Sequence, residues 1–150
     1  MALNPDFVGR VYPPAGTYVV GREKVREFAA AIGDVNPASN SIEAARALGY
    51  SDVVAPPTFA MILSMKASED VVFDPELGLD YARVVHGEQR FAYARPIVAG
   101  DELQVRTTIE AIRTMAGNDM ITTRAEITTV SGDPVVTATS LIISRGPEEG

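Results

Sequence analysis

Val53-Val54-Ala55-Pro56-Pro57-Thr58-Phe59-Ala60-Met61-Ile62-Leu63-Ser64-Met65 decides the fold. From Phe59 onward this stretch is apolar on nearly every side, which is the pattern of a buried helix rather than one lying on a surface. Such a helix needs a large apolar face to wrap it, and the second half of the chain supplies one. Val84 to Tyr93, Leu103 to Ile112, Met120 to Val130 and Val135 to Ser144 are strand-like runs rich in Val, Ile and Thr. Within the second run Leu103, Val105, Ile109 and Ala111 share parity, and within the third so do Ile121, Ala125 and Ile127. One face of each strand is therefore expected to be buried. Ala116-Gly117-Asn118-Asp119 and Ser131-Gly132-Asp133-Pro134 supply turns between strands. The expected architecture is α+β, a long, curved antiparallel sheet wrapped around one central apolar helix.

Outward from the helix the pattern is more broken. Val8 to Tyr12 runs into the turn cluster Pro13-Pro14-Ala15-Gly16, and Thr17-Tyr18-Val19-Val20 is a short strand candidate. Val25, Phe28, Ala29 and Ile32 follow the spacing of one helical face, with charges clustered at its start and Gly33 at its end. Asn40 with Glu43 reads as an N-cap pair for a short helix that Gly49 closes. Ser68 to Asp80, carrying Pro75, Gly78 and several acids, reads as a loop with a turn of helix. There is no internal repeat. One domain is expected over residues 1–145, with 146–150 as a disordered tail.

Composition excludes several chemistries. With no Cys there is no disulfide, thiolate nucleophile or Cys-ligated metal. The lone histidine, His86, leaves few ways to build a His-rich metal site, so neither metal nor cofactor is expected. A net charge of -7 argues against nucleic-acid binding, which depends on Lys and Arg neutralising phosphates. Met1 to Asp6 lacks the pattern of a signal peptide, and no apolar run approaches the ~20 residues of a membrane span. A cytoplasmic location is the expectation.

The residues that bear on chemistry lie in Gly33-Asp34-Val35-Asn36-Pro37-Ala38-Ser39. Taken alone, Asp34 and Asn36-Pro37 are good turn formers, Asp and Asn bonding their own backbone. Three patches together resemble the MaoC-like, (R)-specific enoyl hydratase and dehydratase branch of the hot-dog superfamily: this loop, the Val-Val-Ala-Pro-Pro lead into the apolar helix, and Pro96-Ile97-Val98-Ala99-Gly100-Asp101 after a strand containing Gln89. In order and spacing they cover nearly the whole chain. Within that branch the chain is similar to the small actinobacterial group that includes the A subunit of a heterodimeric (3R)-hydroxyacyl-ACP dehydratase. The resemblance rests on the opening Met-Ala-Leu, the Arg-Glu-Lys-Val-Arg-Glu helix start and the Pro-Ile-Val-Ala-Gly-Asp run.

The resemblance implies an acyl thioester on CoA or acyl carrier protein as ligand, and pockets lying between two hot-dog units of a homodimer or heterodimer. It puts Asp34, Asn36 and Ser39 in the catalytic position, where the family pattern has histidine instead of Ser39. An imidazole exchanges protons near neutral pH, and a serine hydroxyl without a neighbouring base does not. The resemblance also implies an oxyanion-binding N–H at the start of the apolar helix. Proline has none to give, so Thr58 or Phe59 must donate. His86 is either a replacement base or a surface or interface imidazole, and Gln89 either a ligand contact from a partner or an exposed strand polar. Met61, Ile62 and Met65 line either the core or an acyl tunnel. Three functions follow: a subunit that needs a His-bearing partner, a self-sufficient hydratase homodimer using Asp34, or a non-catalytic acyl-CoA-binding protein.

Overall fold

The structure, a computed structural model, describes residues 3–147. A 3-10 turn, Pro5–Phe7, is followed by two short strands, β1 (Val11–Tyr12) and β2 (Tyr18–Val19). Three helices come next, α1 (Arg22–Ala31), α2 (Pro37–Asn40) and α3 (Ile42–Ala47). A 3-10 turn, Pro57–Phe59, opens into the long helix α4 (Ala60–Val72). The rest is sheet: β3 (Val84–Tyr93), β4 (Glu102–Met115), β5 (Asn118–Thr129) and β6 (Pro134–Ser144). All pairings are antiparallel in the order β1-β4-β5-β6-β3, with β2 beside β1 on the outer edge of β4.

Helix α4 packs against β4, β5 and β6. Ala60, Leu63, Ser64 and Val71 are its buried side, recurring at helical spacing. The core falls into two clusters along its length. Phe59, Leu63, Val20, Val25, Leu103 and Ile127 belong to the one at its start, and Val71, Leu77, Ile109 and Ile121 to the one at its end. Phe59 is fully buried, with the rings of Phe28 and Tyr18 edge-on at 5.4 and 6.5 Å. A sheet curled around one side of a long helix, with Met65, Lys66, Glu69 and Asp70 exposed on the other, is the hot-dog arrangement that the resemblance implies.

Three local readings are corrected. Helix α4 continues through Ser68 to Val72, because Val71 and Val72 extend its buried side while Glu69 and Asp70 stay exposed; the Ser68 hydroxyl donates to the Met65 carbonyl at 2.7 Å. The cap of α3 is Ser41, whose Oγ accepts from the Ala44 N–H at 3.2 Å. Asn40 instead ends α2, and its amide donates to the Asn36 carbonyl at 2.9 Å. Ala111 leaves the buried face because a bulge between Ile109 and Ala111 shifts the register by one, bringing Ile112 inward opposite buried Ile121. Of the expected tail, Gly146 donates its N–H to Asn118 Oδ1 at 3.1 Å, and 148–150 lie outside the described residues.

One ion pair ties the first helix to the segment that leads into α4. The Arg22 guanidinium donates to both carboxylate oxygens of Asp52 at 3.0 and 2.7 Å and holds its pKa down at about 2. A carboxylate depressed on folding contributes stability above its unfolded pKa, near 3.8, and loses it as pH falls towards 2. Arg22→Gln is therefore expected to flatten the acid limb of a stability profile between about pH 4 and 2 while leaving its shape near neutrality unchanged. Thermal melts across that range check it, and an unaltered acid limb would mean the pair carries no pH-dependent stability.

Candidate functional site

The loop between α1 and α2 is built by its own polar side chains. Gly33 takes φ +72, a left-handed conformation that ends α1 without steric cost, and the Asp34 N–H donates back to the Ala29 carbonyl at 2.8 Å. Asp34 Oδ1 then accepts from the Asn36 N–H at 2.9 Å, and Asn36 Oδ1 accepts from the Ala38 N–H at 3.1 Å as the N-cap of α2. Pro37 occupies the first helical position, where a missing N–H costs nothing.

This loop is bonded to the strand-like segment before α4. The Ala38 carbonyl accepts from the Val54 N–H at 2.9 Å, and Ser39 Oγ donates to the Val54 carbonyl at 2.5 Å. Ser39 is 2% exposed, so the hydroxyl spends its proton on a backbone oxygen in a buried setting. Val54 in turn bridges Val98, in the linker that follows β3.

A cavity of about 350 Å³ opens here, lined by Asp34, Asn36, Ser39, Pro56, Tyr93 and Arg95 among others. Tyr93 Oη donates to the Pro57 carbonyl, and burial pushes its phenol up to about 12, so it is neutral at physiological pH. Arg95 reaches Asp101 through two bonds, at 2.8 and 3.0 Å, which fixes the guanidinium at the cavity wall and satisfies its charge. Asp101 Oδ2 also accepts from the Val98 N–H at 2.9 Å, so the linker and the cavity wall are set together. The half-buried Asp34 carboxylate is the one anion in the lining.

The structure thus brings Asp34, Asn36 and Ser39 into one cavity. At the start of α4, Phe59 points its ring into the core and donates its N–H to the Pro56 carbonyl at 2.9 Å. Thr58 beside it is exposed. Gln89 and His86 lie elsewhere on β3, four and seven residues from Tyr93, or about 13 and 23 Å along a strand. Gln89 Oε1 accepts from Ser140 Oγ at 2.6 Å, and exposed His86 contacts the Glu88 carbonyl through Nε2 at 2.9 Å. Tyr93 and Arg95 are the lining residues that sequence reasoning missed. Their signal was the continuation of the Gln89, Phe91, Tyr93 parity up to the linker at Pro96. Among the described residues no group of three or more His, Asp or Glu is placed to hold a metal ion, and no helix is long and apolar enough to cross a membrane.

Comparison with known proteins places this geometry among relatives. Residues 6–138 match the family described as FAS1-like, dehydratase domain region. A UPF0336 protein of Streptomyces avermitilis is 57% identical over 150 residues, covering 100% of both chains. One from Saccharopolyspora erythraea is 58% identical, covering 99% of this chain and 96% of its own. Among solved structures, the C-terminally truncated HadBC (3R-hydroxyacyl-ACP dehydratase) complex of Mycobacterium tuberculosis matches at a TM-score of 0.84 and 35% identity, over 92% of this chain and 97% of that one. A MaoC-like dehydratase matches at 0.88 and 38% identity over 95% of this chain, which spans 43% of that longer one.

Proposed function

Since the chain belongs to the FAS1-like dehydratase family of hot-dog hydratases and dehydratases, we propose that it is an acyl-thioester-binding subunit of a (3R)-hydroxyacyl dehydratase or enoyl hydratase system, and that its own loop lacks the general base. The observation that carries this is Ser39. It stands where the family pattern has histidine, and its hydroxyl is bonded to the Val54 carbonyl with no base beside it. Dehydration needs one group to take a proton from carbon and one to protonate the leaving hydroxyl. In this cavity Asp34 stands without an imidazole, beside a phenol held neutral and an arginine already paired.

The oxyanion donor is weakened in parallel. Pro57 offers no N–H and the Phe59 N–H is engaged with the Pro56 carbonyl, leaving the exposed Thr58 amide. A second hot-dog unit supplies what is missing. Strand β3 is the edge of the sheet, ten residues long and, among the described residues, unpaired on its outer side. Phe73, Tyr81 and Val85 are exposed at its beginning, the rings of the first two 5.0 Å apart and tilted by 40°. An open edge flanked by exposed apolar groups favours strand-to-strand assembly. In such a pair Gln89 and His86 belong to the interface, where they reach the partner's site rather than their own.

The test is the purified chain with crotonyl-CoA. Calorimetry is expected to detect binding while hydration stays near the uncatalysed rate, and Asp34→Asn is expected to change neither. Turnover at a rate typical of enzymes, lost on Asp34→Asn, would overturn the assignment in favour of a self-sufficient hydratase.

A further inference from the structure

At the opposite edge of the sheet from β3, a second cleft of about 270 Å³ opens between α4 and the outer side of β4. Its origin is legible in the pairing. Tyr12 pairs with Thr107 and Tyr18 with Leu103, so the strap from Pro13 to Thr17 has five residues to pass the three between Leu103 and Thr107. The strap also begins with two prolines, which have no N–H to join the sheet. It bows away and leaves the edge of β4 open.

What the open edge presents follows from alternation. The Ile109 N–H donates to the Arg10 carbonyl at 3.0 Å, and the Asp101 carbonyl accepts from the Val20 N–H at 2.9 Å, so both residues direct their peptide groups towards this edge. With a period of two, Val105 does the same. Its N–H and C=O face the strap and have no protein partner on that side among the described residues. Two residues on, Thr107 is 2% exposed and its Oγ1 is buried without a hydrogen bond. Unpartnered buried polar groups are rare because each is destabilising. Around these groups the walls are apolar, made by Tyr18, Ile62, Leu63 and Leu103. Lys66 faces the cleft together with Glu69 and Asp70, so the mouth carries an excess of negative charge.

We propose that this cleft is a second ligand site, separate from the loop cavity, which binds a neutral carboxamide carried on an aliphatic chain. The amide pairs with the N–H and C=O of Val105 as one residue of an added strand would. The chain lies along Ile62 and Leu63, and Thr107 Oγ1 bonds the amide's remaining donor or acceptor. A carboxylate of the same length is excluded twice, since it has no donor for the Val105 carbonyl and meets Glu69 and Asp70 at the mouth. The site does not depend on the catalytic assignment of the loop.

Octanamide titrated into the full chain, followed by backbone amide NMR, tests it. The expected result is saturable shifts centred on Val105 and Thr107, with octanoate binding at least about tenfold more weakly. Ala15→Trp, on the exposed strap, is expected to fill the cleft and abolish these shifts with the melting temperature unchanged. Thr107→Val removes the orphaned hydroxyl, and is expected to raise the melting temperature while weakening octanamide about threefold. Shifts centred on Asp34 instead, equal affinity for octanoate, or full binding by a folded Ala15→Trp would each overturn the proposal, as would the absence of saturable shifts.

Discussion

Mixed with a hot-dog partner whose loop carries the histidine, this chain is expected to hydrate crotonyl-CoA about 10²- to 10⁴-fold faster than either protein alone, the range that one placed acid-base group supplies. The reason lies in two pKa values. An imidazole titrates near 6.5 and both takes and gives a proton at neutral pH. The groups in this chain's cavity are worse placed: the Tyr93 phenol is pushed up to about 12, and the Ser39 hydroxyl already donates to the Val54 carbonyl. Co-expression with a neighbouring gene product that carries the histidine, followed by the hydration assay, gives the result. Two controls locate the chemistry. Alanine in place of the partner's histidine should return the mixture to background, whereas Asp34→Asn in this chain should leave the mixed rate within about twofold. A mixture no faster than its components would sink the subunit assignment.

Phe59→Ala is expected to cost about 3–5 kcal/mol of folding stability. Phe59 is the largest fully buried side chain, set at the start of α4 with Phe28 and Tyr18 edge-on to it. Its removal takes away a contact shared by α1, β2 and α4, and no neighbour can collapse into the space without moving one of them. Against the 5–15 kcal/mol that folds such chains, the loss is a large fraction of the whole. Phe59→Leu, which keeps most of the volume, should cost less than half as much. Urea midpoints for the two variants check this, and a loss below about 1 kcal/mol for alanine would show that the cluster repacks freely.

Much of this was legible in the sequence, because apolar patterning is a local signal. The buried helix, the four long strands and the loop with Asp34, Asn36 and Ser39 all follow from residue order. What escaped depends on partners distant in sequence. The length of α4 was hidden because the acids Glu69 and Asp70 resemble a loop when nothing says that Val71 and Val72 between them and Phe73 face the sheet. The inversion of Ala111 comes from a bulge that no composition announces. Tyr93 and Arg95 join the cavity through the Pro57 carbonyl and Asp101, contacts that only the folded chain creates. Thr107 sits at a position whose parity is that of the core, yet nothing in its own neighbourhood foretells an unpartnered hydroxyl.

The open edge of β3 has a consequence for the supply of this protein in a cell. Ten residues of unpaired backbone are a template for any extended chain, and a copy without its assembly mate offers that template to other unassembled copies and to proteases. Synthesis in excess of the mate would be self-limiting, the surplus being lost to precipitation or degradation. On the subunit assignment proposed above, the abundance of the chain would then be set by stoichiometry with its mate more than by its own rate of production.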